Sequence, residues 1–119
     1  MPDYIGLLRR EEKAVEDLSP DESQRVLERY LAWTDRMDRE GRLRASHPLT
    51  RTGRVLRQTG GALSTTDGPH TESAEVVGGY IVVTADDYDQ AAKIFGTHPH
   101  LRYGPIEVRR VADESCSEE

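Results

Sequence analysis

Residues 76 to 84, Val-Val-Gly-Gly-Tyr-Ile-Val-Val-Thr, form the most apolar stretch of the chain. A short run this rich in β-branched residues reads as a central strand buried on both faces. It is far shorter than the ~20 apolar residues that a membrane helix requires. The pair Gly78-Gly79 inside it predicts a bulge, or the close approach of another group. Elsewhere the chain is polar: apolar residues make up 35% of its 119 positions and charged residues 32%. The core is therefore thin and comes from a few segments, within a length that suits one domain.

The remaining elements follow from local signals. Tyr4 to Leu8 is an apolar run that reads as a first strand, ending at Arg9 and Arg10. Ser19-Pro20-Asp21-Glu22 is a helix start, with a capping serine, a first-turn proline and an acid three residues on to close a capping box. Val26, Leu27, Tyr30, Trp33 and Met37 then recur at three and four residues, so they share one face; Trp33 and Met37 are assigned to packing, and Gly41 ends the helix. Short strand-like pieces follow, broken at Pro48, Gly53 and Gly60-Gly61, and the glycine pair predicts a hairpin between 54–58 and 62–66. Asp67-Gly68-Pro69 is turn chemistry. A second helix starts at Asp86 or Asp87, places Tyr88, Ala91, Ala92 and Phe95 on one face, and stops at Gly96. Pro99 and Gly104 punctuate the next connection, and Ile106 and Val108 alternate with Glu107 and Arg109 in a last strand with one wet face.

This order predicts an α+β fold of the ferredoxin-like kind, an antiparallel sheet with two helices on one face. The opposite sheet face then needs a cover. A second copy of the chain is the simplest one, so a homodimer packed sheet to sheet is expected. The domain is expected over 1–112, with 113–119 an acidic disordered tail, since four acids and no base fall there.

Charge and cysteine bound the setting. The net charge is −6, yet residues 41–66 contain Arg42, Arg44, Arg51, Arg54 and Arg57 and no acid. Such a stretch can steer a carboxylate or phosphate, or can lie on a solvent face or pair with the acidic helix before it. Nucleic acid is not expected as a partner, because the overall charge is negative and no aromatic platform accompanies the arginines. A membrane is not expected either. The single cysteine, Cys116, fits a reducing cytoplasm, which is the expected location.

Thr66-Asp67-Gly68-Pro69-His70-Thr71-Glu72, followed by Val77-Gly78-Gly79-Tyr80, resembles the signature of YCII-related proteins of the DGPF-domain type. The ending from Gly104 to Val111 is similar to that family's closing strand, and the resemblance covers nearly all of residues 3–111. It implies a dimeric α+β barrel, and for some relatives proton transfer by a His and an Asp in isomerisation or elimination on small ring compounds. The chain departs from the pattern at His70, where the family usually has Phe, and at Ala74, where lysine is frequent. The histidine that some relatives carry in the first helix is absent from 19–40.

Asp67 and His70 are the candidate catalytic pair, because a carboxylate three residues from an imidazole can raise its pKa and fix its tautomer. Their structural alternatives are a turn cap and an aromatic filler. His47, Tyr80, Arg44 and Arg54 are the candidate substrate-binding residues. His98-Pro99-His100 offers two ligands, too few for a closed zinc site, so no metal is expected. The absence of a phosphate loop, a nucleophile elbow or a dinucleotide fingerprint leaves no cofactor expected. Two functions stay open: a cofactor-free isomerase or lyase acting on a small anionic or cyclic molecule, or a non-catalytic dimeric binding or regulatory module.

Overall fold

A computed structural model describes residues 1–11, 18–68 and 75–113. The described elements are β1 (Asp3–Glu11), α1 (Pro20–Arg39), β2 (Leu43–Pro48), β3 (Gly53–Thr59), β4 (Ala62–Gly68), β5 (Glu75–Thr84), α2 (Tyr88–Phe95), a 3-10 turn (Pro99–Arg102) and β6 (Ile106–Arg110). Four strands form one antiparallel sheet in the order β2-β5-β1-β6, while β3 and β4 pair with each other as a separate hairpin. The fold is α+β and ferredoxin-like, with that hairpin inserted between the second and third sheet strands.

Register decides which side chains meet the helices. Along β1, Tyr4, Gly6 and Leu8 are buried and alternate with Ile5 and Leu7. Their partners on the same face include Val83, Ile81, Val108 and Ile106. These pack with Trp33 and Met37 of α1 and Ala91 and Phe95 of α2 in one core, so both helices cover the same sheet face. Gly6 is required there, because a Cβ at this position would stand 2.5 Å from the Phe95 ring.

The helix start is as expected: the Ser19 hydroxyl accepts from the Glu22 amide, and the Glu22 carboxylate accepts from the Ser19 amide. The acid-first, base-last layout of α1 also suits its dipole. Asp87 caps α2. Gly60 and Gly61 both take positive φ, which is what a two-residue turn matched to strand twist demands.

Three expectations are corrected. Asp67 and Gly68 do not turn the chain; they continue β4 opposite Arg54 and Gly53, because the hairpin ladder extends past the predicted boundary. The buried face of α2 is Ala91 and Phe95, while Ala92 is exposed and Tyr88 leans out to 49% exposure, its hydroxyl accepting from the Arg110 amide. Finally, β5 is central but is buried on one face only. Ile81 and Val83 are covered by the helices, whereas Tyr80 and Val82 alternate onto the uncovered side and stay half-buried. The predicted tail lies outside the described residues from 114 onward.

Candidate functional site

Gly78-Gly79 shapes the space beneath α1. The β1–β5 ladder slips between Leu8 and Arg9, so that Leu8 faces Gly79, Arg9 faces Val77, and Gly78 is the extra residue of a bulge. A side chain at Gly78 would collide with the Arg10 guanidinium, since a Cβ would stand 2.7 Å from its Nε. The glycine therefore lets Arg10 lie across the strand. Gly79 comes close to the edge strand, with the site of its Cβ 3.1 Å from the His47 carbonyl oxygen.

Two cavities open between α1 and this part of the sheet, sharing Leu8, Leu27, Tyr30 and Gly78 as walls. The outer one, about 230 Å³, is also lined by Arg10, Val26 and His100. The inner one, about 130 Å³, is lined by Leu31, Thr34, Ser46 and His98 among others. A dry cavity of about 150 Å³ is enough to hold a benzene ring. The space suits a small ring compound or metabolite.

The polar wall has one consistent proton arrangement. His100 Nε2 lies 2.8 Å from the Arg9 carbonyl oxygen, which can only accept, so Nε2 carries the proton. In the neutral ring Nδ1 is then bare, and it accepts from the Tyr30 hydroxyl at 2.7 Å. Burial holds His100 below the usual histidine pKa, against bonds that favour its charged form, and pushes Tyr30 up to about 12. Both groups are neutral at neutral pH. Arg10 acts electrostatically on both, and no carboxylate pairs with it among the described residues.

The neighbouring His98 is also buried and neutral, its pKa lowered to about 4 by burial and then by His100. Its Nδ1 accepts the His100 amide. Tyr30 and Trp33 pack on its ring at centroid distances of 4.8 and 4.6 Å. The Trp33 indole N–H donates to Thr97, which ties α1 to the chain just before this pair.

Such a wall can accept a hydrogen bond from a ligand at the Tyr30 oxygen and hold an anion at Arg10. It can also pass a proton inward from Tyr30 to His100, leaving an imidazolium held by the Arg9 carbonyl.

Residues 4–115 match the family model of the YCII-related domain. The chain belongs to the YCII-related family. Among solved structures, this YCII-related chain is similar to 5-chloro-2-hydroxyhydroquinone dehydrochlorinase (TftG) from Burkholderia phenoliruptrix AC1100, in complex with 2,5-dihydroxybenzoquinone. Identity is 13% and the TM-score 0.47, over 99% of this chain and 100% of that one. No curated protein matches.

Of the candidates chosen from sequence, His47 meets Tyr80 and Arg54 stands opposite Asp67, in two separate parts of this YCII-related fold. Asp67 sits exposed on β4, beside a shallow hollow of about 510 Å³ lined also by Arg51, Thr52, Gly53 and Arg54. All five residues are exposed, so water screens their charges. His70 lies outside the described residues. Arg44 stands 3.6 Å from the Asp3 carboxylate, and Arg42 is 3.8 Å from that of Glu40, so two arginines of the acid-free stretch pair with acids outside it. His47 and Tyr80 do meet, with ring centroids 5.6 Å apart. Both border the inner cavity, but register directs their side chains to the uncovered sheet face, where Tyr80 stands opposite Leu7.

Sequence reasoning missed Tyr30, His100 and Arg10. From spacing, Tyr30 reads as part of the apolar face of α1, and the two histidines around Pro99 read only as metal ligands. Three or more grouped metal-ligating side chains do not occur among the described residues. The available signal was an ionisable side chain on a packing face, Tyr30, together with two histidines beside the last turn.

Proposed function

We propose that this YCII-related protein binds a small anionic or cyclic molecule in the cleft beneath α1 and moves a proton to or from it through Tyr30 and His100, without a cofactor. The observation that carries the reading is the line of bonds from the Tyr30 hydroxyl through His100 to the Arg9 carbonyl, in the wall of a cavity that also holds the Arg10 guanidinium. As an acidic O–H or C–H of the ligand gives its proton to the Tyr30 oxygen, the Tyr30 proton passes to His100 Nδ1. Neither a tyrosinate nor a free imidazolium has to form first. The electron pair left on the ligand spreads onto an oxygen that Arg10 stabilises. The relay returns Tyr30 to its neutral form, so the net base is His100, and its lowered pKa makes it a weak one. Its substrates are therefore acidic ones, such as phenols, enols and carbons beside a carbonyl. Isomerisation or elimination on a small ring compound fits that chemistry.

A binding module is the second reading. It is favoured by the absence, among the described residues, of any carboxylate bonded to His98 or His100 that would strengthen either as a base. We further propose a homodimer. Ile5, Leu7, Tyr80 and Val82 line a sheet face on which neither helix packs, and a second sheet would cover it.

The test is a thermal-shift panel of small carboxylates, phenols, lactones and nucleotides, followed by turnover assays on whatever binds. A saturating ligand at ~100 times its Kd adds about 2.7 kcal/mol of stability. The account expects shifts from carboxylates or phenols. It also expects turnover that falls at least a hundredfold in Tyr30→Phe and His100→Ala and survives in His70→Ala. Loss of turnover in His70→Ala alone would hand the chemistry to the Asp67–His70 pair. Binding without turnover of any hit would leave the binding module.

A further inference from the structure

His98 carries a donor that no group among the described residues answers. A backbone N–H can only donate, so the bond from the His100 amide to His98 Nδ1, at 2.9 Å, fixes Nδ1 as the bare nitrogen. The proton of the neutral ring is therefore on Nε2. Only 3% of His98 is exposed, and no acceptor among the described residues reaches Nε2. A buried donor without a partner costs free energy, and native structures keep few of them. This residue is also part of the wall of the inner cavity, whose other polar side chains include Thr34 and Ser46. The Thr34 hydroxyl is engaged with the Tyr30 carbonyl.

We propose that His98 is a specificity-determining residue of the cleft: its Nε2–H donates to a carbonyl or carboxylate oxygen at the inner end of the bound molecule. Arg10 takes the anionic group in the outer cavity, and the ring or chain between them lies along Leu8 and Leu27, which wall both cavities. The ligand class is then a small anion with a second, acceptor oxygen at its far end. This rests on the reading of the cleft as a small-molecule site and narrows it.

Two probes of similar shape separate the inference from that reading. 4-Acetylbenzoate offers an anion and a far carbonyl, whereas 4-isopropylbenzoate offers the anion and no far acceptor. Titrated into the full chain by calorimetry, the acetyl compound is expected to bind at least tenfold more tightly. His98→Asn keeps an acceptor near the Nδ1 position for the His100 amide and removes the Nε2 donor. In it the preference is expected to fall below twofold, and a preference that stays at tenfold would overturn the inference. A long-range 1H–15N spectrum of the free protein is expected to place the His98 proton on Nε2, and a proton on Nδ1 would overturn the inference. Equal affinities in the unsubstituted protein, with binding lost in Arg10→Ala, would overturn the inference and leave the cleft as a ligand site. No binding of either probe at 10 mM would take down both together.

Discussion

In the cleft, Tyr30, His98 and His100 sit between a helix and a sheet, bonded to one another and to backbone, with their titration displaced by burial. On the β3–β4 hairpin, Arg54 and Asp67 face each other across a ladder with both side chains in water. Both regions contain residues able to do acid–base or anion chemistry. The hairpin even borders the larger hollow, about 510 Å³ against 230 Å³ for the outer cavity of the cleft. The difference lies in desolvation. Charges 4 Å apart in water interact by about 1 kcal/mol, and removal of water multiplies that several-fold. Burial takes His98 and His100 of the cleft out of water, while Arg54 and Asp67 of the hairpin stay in it.

Equivalent truncations in the two regions should give very different costs. Phe95→Ala removes a ring that is 2% exposed, stacked on Trp33 at 6.0 Å and seated over Gly6. It is expected to cost about 3–5 kcal/mol in urea unfolding. Leu63→Ala, on the hairpin at 67% exposure, should cost less than about 0.5 kcal/mol. Comparable losses at both positions would mean that the hairpin is covered in solution, as a second copy of the chain would cover it.

Acid is the next test. Burial lowers His98 to about 4 in the folded chain, against an ordinary 6.5, so between those values the unfolded chain binds more protons. Its contribution to stability is fully present above about pH 6.5 and is lost as pH falls toward 4; His100 shifts in the same direction. The urea midpoint should therefore fall from pH 7.5 to pH 5, and His98→Asn should flatten that slope. An unchanged midpoint would mean that the histidines are in contact with water.

Tyr30→Phe removes the donor to His100 Nδ1 and leaves a buried acceptor, at an expected cost of about 1–3 kcal/mol with the fold retained. The smallest effect belongs to the hairpin again: Arg54→Ala and Asp67→Asn should each move stability by less than about 0.5 kcal/mol. A larger change would place that pair in a buried contact and erase the contrast between the regions.

Much of the fold was legible because its signals are local. Ser19 and Glu22 are three positions apart, Trp33 and Met37 four, and Gly60-Gly61 takes the positive φ that its turn requires. Gly78-Gly79 pointed to a bulge or a close approach, and the structure has both. The site was hardly legible. Tyr30 meets His100 across 70 positions and His100 meets the Arg9 carbonyl across 91, pairings that only the sheet order creates. Asp67 misled for a related reason. Turn-forming residues do not turn when a hairpin ladder already pairs them, and β4 runs on to Gly68. Tyr80 lies on the central strand, where alternation turns its side chain away from the face that carries Ile81 and Val83, although it borders the inner cavity.

A 1H–15N titration of the full chain with 4-hydroxybenzoate tests the central claim most directly, since this probe carries both an anion and an acidic hydroxyl. Shift changes are expected to concentrate at Leu8, Arg10, Tyr30, Gly78 and His100, and to weaken greatly in Arg10→Ala. Changes concentrated instead at Arg51, Arg54 and Asp67, with the cleft silent, would contradict that claim.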